Sequence, residues 1–161
     1  MVTWHCLPFS ELTTHQLYEL MRLRVDVFVV EQNCPYPELD GHDTLPGTQH
    51  LLGYRDNVLV AYARLLPAGT TYDNVSIGRV GTLKTERREG MGHKLLRQAI
   101  AYCCEQWPGC VIEIGAQEYL KDFYRSYGFV QTSEMYLEDG IPHVDMVYSL
   151  PHTLCPILLE V

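Results

Sequence analysis

The sequence predicts an α/β protein of the α+β kind, with one mixed sheet of about seven strands and helices on both faces. Three observations predict it. Apolar residues alternate in some segments and recur every three or four positions in others, and the two kinds of segment interleave. Two pairs of strand candidates are joined through turn residues, Arg55-Asp56-Asn57 and Asp139-Gly140, which marks hairpins. With 161 residues, 47% hydrophobic and 20% charged, the chain is sized for one domain with a real core.

Taken in order, residues 3–7 form a short strand candidate. Residues 14–30 read as a helix, because Leu17, Leu20, Met21, Arg24, Val27 and Phe28 share one stripe and Thr13 or Thr14 can cap it. Residues 33–47 read as a loop, with Pro35, Pro37, Gly41, Pro46 and Gly47 in a short span. Strands follow at 50–54, 58–66 and 74–83. Residues 90–106 form an amphipathic helix with Leu95, Leu96, Ala99, Ile100 and Cys103 inward, ended by Pro108-Gly109. A buried strand at 110–114, a short helix at 118–126 and strands at 129–137 and 143–150 complete the pattern. Residues 1–150 make the single domain, and 151–161 a tail that is an edge strand, a dimer contact or a frayed end.

Lys and Arg number 12 against 20 Asp and Glu, a net charge of -8, which argues against nucleic acid as a partner. The six cysteines include no CxxC pair, and no i,i+4 histidine pair accompanies His42-Asp43, so neither a disulfide scaffold nor a metal is expected. The first residues lack a basic, apolar leader and no apolar run reaches membrane-spanning length, so a cytoplasmic protein without a membrane partner is expected.

Charge is unevenly distributed. Arg79, Lys84, Arg87, Arg88, Lys94 and Arg97 face only Glu86 and Glu89, whereas Asp26, Glu31, Glu38, Asp40 and Asp43 lie in a stretch with no Lys or Arg. A concentrated basic segment in an acidic protein suits a small polyanion. Inside it, a strand runs through Arg87-Arg88-Glu89-Gly90-Met91-Gly92 into the amphipathic helix. Glycines there let phosphate approach backbone N–H groups, and the helix N-terminus adds partial positive charge. Neither the Rossmann nor the Walker glycine pattern fits, since Leu95 and His93-Lys94 stand where their defining residues would be. An R-x-x-G-x-G pattern remains.

That pattern after a strand resembles the acyl-coenzyme A loop of the GNAT acetyltransferase superfamily, and Phe123-Tyr124-Arg125-Ser126-Tyr127-Gly128-Phe129 matches the superfamily's second motif. Arg22-Leu23-Arg24, Phe28, Glu31-Gln32, Tyr36, Glu38, Asp40, Asp43, Ala116-Gln117 and residues 139–143 extend the resemblance to an ElaA-like branch, over residues 1–150. The resemblance implies the GNAT fold, a mixed, mostly antiparallel sheet, and an acyl-CoA-dependent N-acetyltransferase with acetyl-CoA as co-substrate. Val80, Gly81 and Thr82 would hold the pantetheine arm. Arg87, Arg88, Glu89, Gly90, Met91, Gly92 and His93 would surround the pyrophosphate. Tyr124 would sit beside the departing sulfur. Gln117 stands where many relatives carry Asn, which puts a cofactor contact there in question.

Direct transfer needs a neutral amine, a donor for the carbonyl oxygen and a group for the thiolate. The Val80 N–H suits the oxygen. A phenol near about 10 and a thiol near about 8.5 make Tyr124 a hydrogen-bond donor to sulfur rather than a full proton source. For the general base, Glu113 stands out on an apolar strand and His143 follows the last hairpin turn, with Glu31 behind them. Each has a structural alternative: Glu113 pairing an arginine such as Arg79, His143 satisfying the turn, Glu31 solvated. Glu31, Tyr36, Asp40 and Asp43, with the last hairpin, are expected to line an acidic entrance for a cationic acceptor, a small molecule or a protein amine. An idle acyl-CoA-binding module of the same fold is the alternative reading, as monomer or homodimer.

Overall fold

A computed structural model describes residues 1–149. The tail 151–161, and Leu150 at the end of the last predicted strand, lie outside the described residues. Eight strands form one sheet: β1 Thr3–Pro8, β2 Gln49–Arg55, β3 Val58–Leu66, β4 Val75–Thr82, β5 Val111–Gln117, β6 Val130–Gln131, β7 Tyr136–Glu138 and β8 Ile141–Ser149. Their order is β1-β2-β3-β4-β5-β8-β6, with β7 also on β8, and every pair is antiparallel except β4–β5. Asp56 and Asn57 (φ 49° and 64°) and Asp139 and Gly140 (φ 50° and 77°) turn the two tight hairpins in the left-handed region that such turns require.

Helices cover both faces. Helix α1, Thr14–Arg24, is capped reciprocally by Thr13 and Gln16 and packs Leu20 and Leu23 on Leu52, Leu59 and Tyr62. Helix α2, Met91–Gln106, and the short α3, Lys121–Arg125, cover the other face. Leu95, Leu96 and Ile100 are fully buried there against β3, β4 and β5, each contributing about 1.5–3 kcal/mol of burial.

Four expectations are revised. Helix 14–30 becomes α1 followed by a π-helical segment, Val25–Glu31, because Val25, Val27, Val29 and Val30 crowd an ordinary α-helix and the wider turn relieves them. The single strand at 129–137 is two, since Thr132 and Ser133 leave the ladder to bond the backbone of Asp145. Strand β5 runs on to Gln117, so that residue ends a strand instead of following it. A 3-10 turn at Lys84–Glu89 stands between β4 and α2.

One irregularity shapes the molecule. Tyr62 pairs with Gly81 and Arg64 with Gly78, so Ala63 faces two residues, Arg79 and Val80. This β-bulge, with Arg79 at φ 49°, bends β4 away from β5. Only Val75 and Ser76 pair with Ile112 and Glu113, and beyond them the parallel strands part. Among the described residues no helix is long and apolar enough to cross a membrane.

Candidate active site

The parting strands open a cavity of about 980 Å³ at their carboxyl ends, the position where crevices of parallel strands receive ligands. One wall is β4 from Gly78 to Thr82, whose edge toward β5 carries no ladder partner past Ser76. Gly81 is tight: a Cβ there would meet the Phe28 ring at 3.2 Å. At one end stand Gly90, Gly92 and His93, at the N-terminus of α2. Gly90 begins the helix at φ 70°, a conformation that favours glycine. The His93 ring meets the Tyr127 hydroxyl at 2.8 Å and packs on Phe123, which ties the loop to the second motif.

Several loop residues turn elsewhere. Met91 is fully buried in the core, so only its backbone is available to a ligand. Glu86 and Glu89 pair with Arg55. Arg87 binds the Thr82 carbonyl (2.9 Å) and Glu31 (2.7 Å), bracing the π-helical segment against β4. Lys84, Arg88 and Lys94 form no ion pair among the described residues.

Tyr124, on α3, lines the cavity and is 6% exposed. Phe123 and Phe129 pack edge-on against its ring, and burial pushes its phenol up to about 12. Its hydroxyl has no hydrogen-bond partner among the described residues. Gln117 also lines the cavity and donates to the Gln32 side chain at 3.3 Å.

The two candidate bases part company. His143 lines the cavity, with Nδ1 2.7 Å from the Ile141 carbonyl and Nε2 3.5 Å from Glu138. A carbonyl only accepts, so Nδ1 carries the proton, and in the neutral ring Nε2 keeps its lone pair. Glu113 sits at the closed end of the wedge, opposite Ser76, accepts from Asn74 at 3.2 Å and does not line the cavity. Among the described residues it has no arginine partner; Arg79 pairs with Glu38 and Asp40 instead.

The acidic loop differs most from expectation. Glu31, Tyr36 and Asp40 reach the cavity, but Asp43 is buried behind it. All five carboxylates from Asp26 to Asp43 carry an arginine. Asp26 meets Arg22 and Glu31 meets Arg87. Glu38 joins Arg24 and Arg79; Asp40 joins Arg64 in a two-point contact (2.7 and 2.9 Å); Asp43 joins Arg24 (2.6 Å) and Arg64. Tyr36 donates to Glu38 and lies under the Arg79 guanidinium. Burial alone would raise Asp40 and Asp43, yet the guanidiniums beside them hold both below the usual carboxylate range. Arg24, fully buried, and Arg64, 3% exposed, were the signal available in the sequence, because each interrupts an apolar run. Beneath them His50 accepts from Tyr62 (2.7 Å) and donates to the Asp43 carbonyl (3.0 Å), and burial lowers its pKa.

The strand wedge, the glycine loop that opens α2 and the buried tyrosine all lie within a stretch that matches a family model. The Acetyltransferase (GNAT) domain covers residues 25–150. The chain belongs to the GNAT acetyltransferase family. Within it, protein ElaA of Escherichia coli (strain K12) is 44% identical over 146 residues, 91% of this chain and 95% of that protein. The crystal structure of E. coli ElaA superposes with a TM-score of 0.86, covering 91% of this chain and 99% of that one. An acyl-CoA N-acyltransferase from Pseudomonas aeruginosa superposes with a TM-score of 0.89 at 42% identity, covering 92% of this chain and 100% of that one. The GNAT architecture and the ElaA-like branch are therefore those of this chain.

Proposed function

We propose that this GNAT protein transfers an acetyl group from acetyl-CoA to a primary amine by direct attack within a ternary complex. The observation that supports it is that one cavity joins the glycine loop, the β4 bulge, Tyr124 and His143. The residues fit acetyl-CoA on three counts. The open edge of β4 at Val80, Gly81 and Thr82 offers backbone groups to an extended amide chain, as an added strand would use them. Gly90 and Gly92 leave the α2 N-terminus open to a pyrophosphate, with Arg88 and Lys94 nearby in sequence. Gln117 faces the arm from β5.

Each chemical requirement has a residue. The bulge turns the Val80 peptide out of the ladder, and its N–H receives the charge that develops on the carbonyl oxygen; such donors contribute roughly 3–4 kcal/mol. Tyr124, near about 12, stays protonated beside a thiolate whose acid titrates near about 8.5 and so donates a hydrogen bond to the sulfur. His143 Nε2 takes the proton of the acceptor ammonium, directly or through a water, while Ile141 holds the tautomer and Glu138 steadies the imidazolium. Glu113, outside the cavity, is not assigned to the reaction.

Thiol release from acetyl-CoA across a panel of diamines, amino sugars, lysine peptides and neutral amines tests this reading. Turnover with at least one primary amine, abolished by Val80→Pro and reduced by His143→Gln, is the expected result. Acetyl-CoA binding without turnover on any amine would leave an acyl-CoA-binding module instead.

A further inference from the structure

On the acetyltransferase reading, which this inference rests on, the open end of α2 must recognise the phosphates of acetyl-CoA. Helix α1 begins on a capping side chain, Thr13, whereas no side chain caps α2 at Gly90. The first N–H groups of a helix without such a cap are free to hold an anion. Among the described residues, two side chains of the loop 84–93 line the cavity there, Arg87 and His93. Arg87 is taken up by Glu31 and by the Thr82 carbonyl. That leaves His93 to meet an incoming phosphate.

Its imidazole is held by two rings. Phe123 packs edge-on at 4.8 Å and Tyr127 lies tilted at 5.7 Å between centroids. The Tyr127 hydroxyl is 2.8 Å from His93 Nδ1 and 3.3 Å from the His93 carbonyl oxygen. His93 lines the cavity and Tyr127 does not, so the Nδ1 edge of the ring turns toward the protein and the Nε2 edge toward the cavity. Nε2 has no partner among the described residues. Tyr127 owes its place to the turn that ends α3. The N–H groups of Tyr127 and Phe129 both donate to the Tyr124 carbonyl (3.0 and 3.3 Å), with Gly128 at φ 100°.

The hydroxyl also sets which ring nitrogen carries hydrogen. A carbonyl only accepts, and a phenol has one hydrogen to give. In the neutral ring that hydrogen goes to Nδ1, the nearer acceptor, and the ring hydrogen stands on Nε2. In the imidazolium, Nδ1–H donates to the hydroxyl oxygen, whose hydrogen turns to the His93 carbonyl. Nε2 is therefore a donor in both charge states. The opposite tautomer would present a lone pair to an anion and repel it.

We propose that His93 Nε2 donates to the pyrophosphate of the thioester donor and that Tyr127 is the positioning residue that keeps it a donor. The pair makes the protein select a nucleotide-bearing thioester over one that lacks phosphate.

The test compares acetyl-CoA with acetyl-pantetheine, which has the same thioester and arm but no phosphate. The kcat/KM preference for acetyl-CoA is expected to fall about tenfold in His93→Ala and several-fold in Tyr127→Phe. The loss falls on the KM for acetyl-CoA and spares kcat, and His93→Gln, whose amide also donates, loses less than His93→Ala. A packing role would lower both donors alike, so a preference that survives both variants overturns the proposal. Nitrogen NMR shifts of the imidazole read the tautomer directly. Hydrogen on Nε2 is expected in the unaltered protein, with the Nδ1–H form appearing in Tyr127→Phe; an Nδ1–H ring in the unaltered protein overturns the role of Tyr127. Calorimetry with CoA separates the pair from the transfer step. Binding that His93→Ala weakens about tenfold upholds the pair even if no amine is acetylated, which would count against the acetyltransferase reading alone. Turnover with CoA affinity unmoved by His93→Ala overturns the pair and leaves that reading standing. Unchanged thermal unfolding of Tyr127→Phe and His93→Ala shows that both variants are folded.

Discussion

The basic segment at 84–94 and the acidic loop at 33–47 carry opposite charge in the sequence, and folding treats them in opposite ways. In the basic segment Glu86 and Glu89 are taken up by Arg55, a residue from β2, and Lys84, Arg88 and Lys94 keep their charge unpaired among the described residues. In the acidic loop Glu38, Asp40 and Asp43 each gain two arginines, drawn from α1, β3 and β4. Folding therefore strengthens one field and cancels the other. A charge run becomes a binding field only where the tertiary neighbours leave it uncompensated, because buried charges require partners and exposed ones do not.

If the acidic loop is a structural array, removing its central cation has the largest effect of any single change. Arg24→Ala strands Glu38 and Asp43 without their fully buried partner. A loss of about 3–5 kcal/mol in urea unfolding is expected, whereas Arg88→Ala changes stability by less than about 0.5 kcal/mol.

Tyr124→Phe probes the boundary between the two regions. A donor to the sulfur predicts a fall in kcat of roughly 10–100-fold with little change in the KM for acetyl-CoA. Unchanged turnover would return Tyr124 to a packing role.

Acid sharpens the contrast further. His50 has its pKa lowered from 6.5 by burial, so below that value the unfolded chain binds more protons and stability starts to fall. Asp40 and Asp43, held below their ordinary 3.8, add a second loss as the pH drops through 3.8 and under it. Stability should thus be level between about pH 6.5 and about 8 and decline in two stages below that window. His50→Gln should remove the first stage in thermal melts across pH.

The smallest effect is on the open side. Arg88→Ala with Lys94→Ala should raise the KM for acetyl-CoA several-fold at low salt, and the variant should lose most of the salt dependence that the unaltered protein shows. A KM that is insensitive to both salt and substitution would mean that backbone groups alone hold the phosphates.

Much of the fold was legible because its signals are local. The stripe of α2, the turn at Asp139-Gly140 and the glycines at 90 and 92 each depend on residues a few positions apart, and all stand where the sequence puts them. The π-helical segment was not legible, since crowding among valines says that an α-helix is poor without saying what replaces it. The acceptor side was misread for a related reason. Asp40 and Asp43 looked available because no cation lies near them in sequence, yet Arg24, Arg64 and Arg79 reach them from 19 to 39 positions away. Glu113 looked exceptional on its strand, but it points to the closed end of the wedge.

The sequence by itself determined the mixed α/β architecture and the glycine loop that opens α2, because hydrophobic period, turn residues and a glycine-opened helix act over short range. Only the tertiary structure decided where β4 parts from β5, which carboxylates keep their charge, and that Tyr127 meets His93. Those outcomes depend on strand register and on contacts between distant segments, and residue spacing carries no information about either.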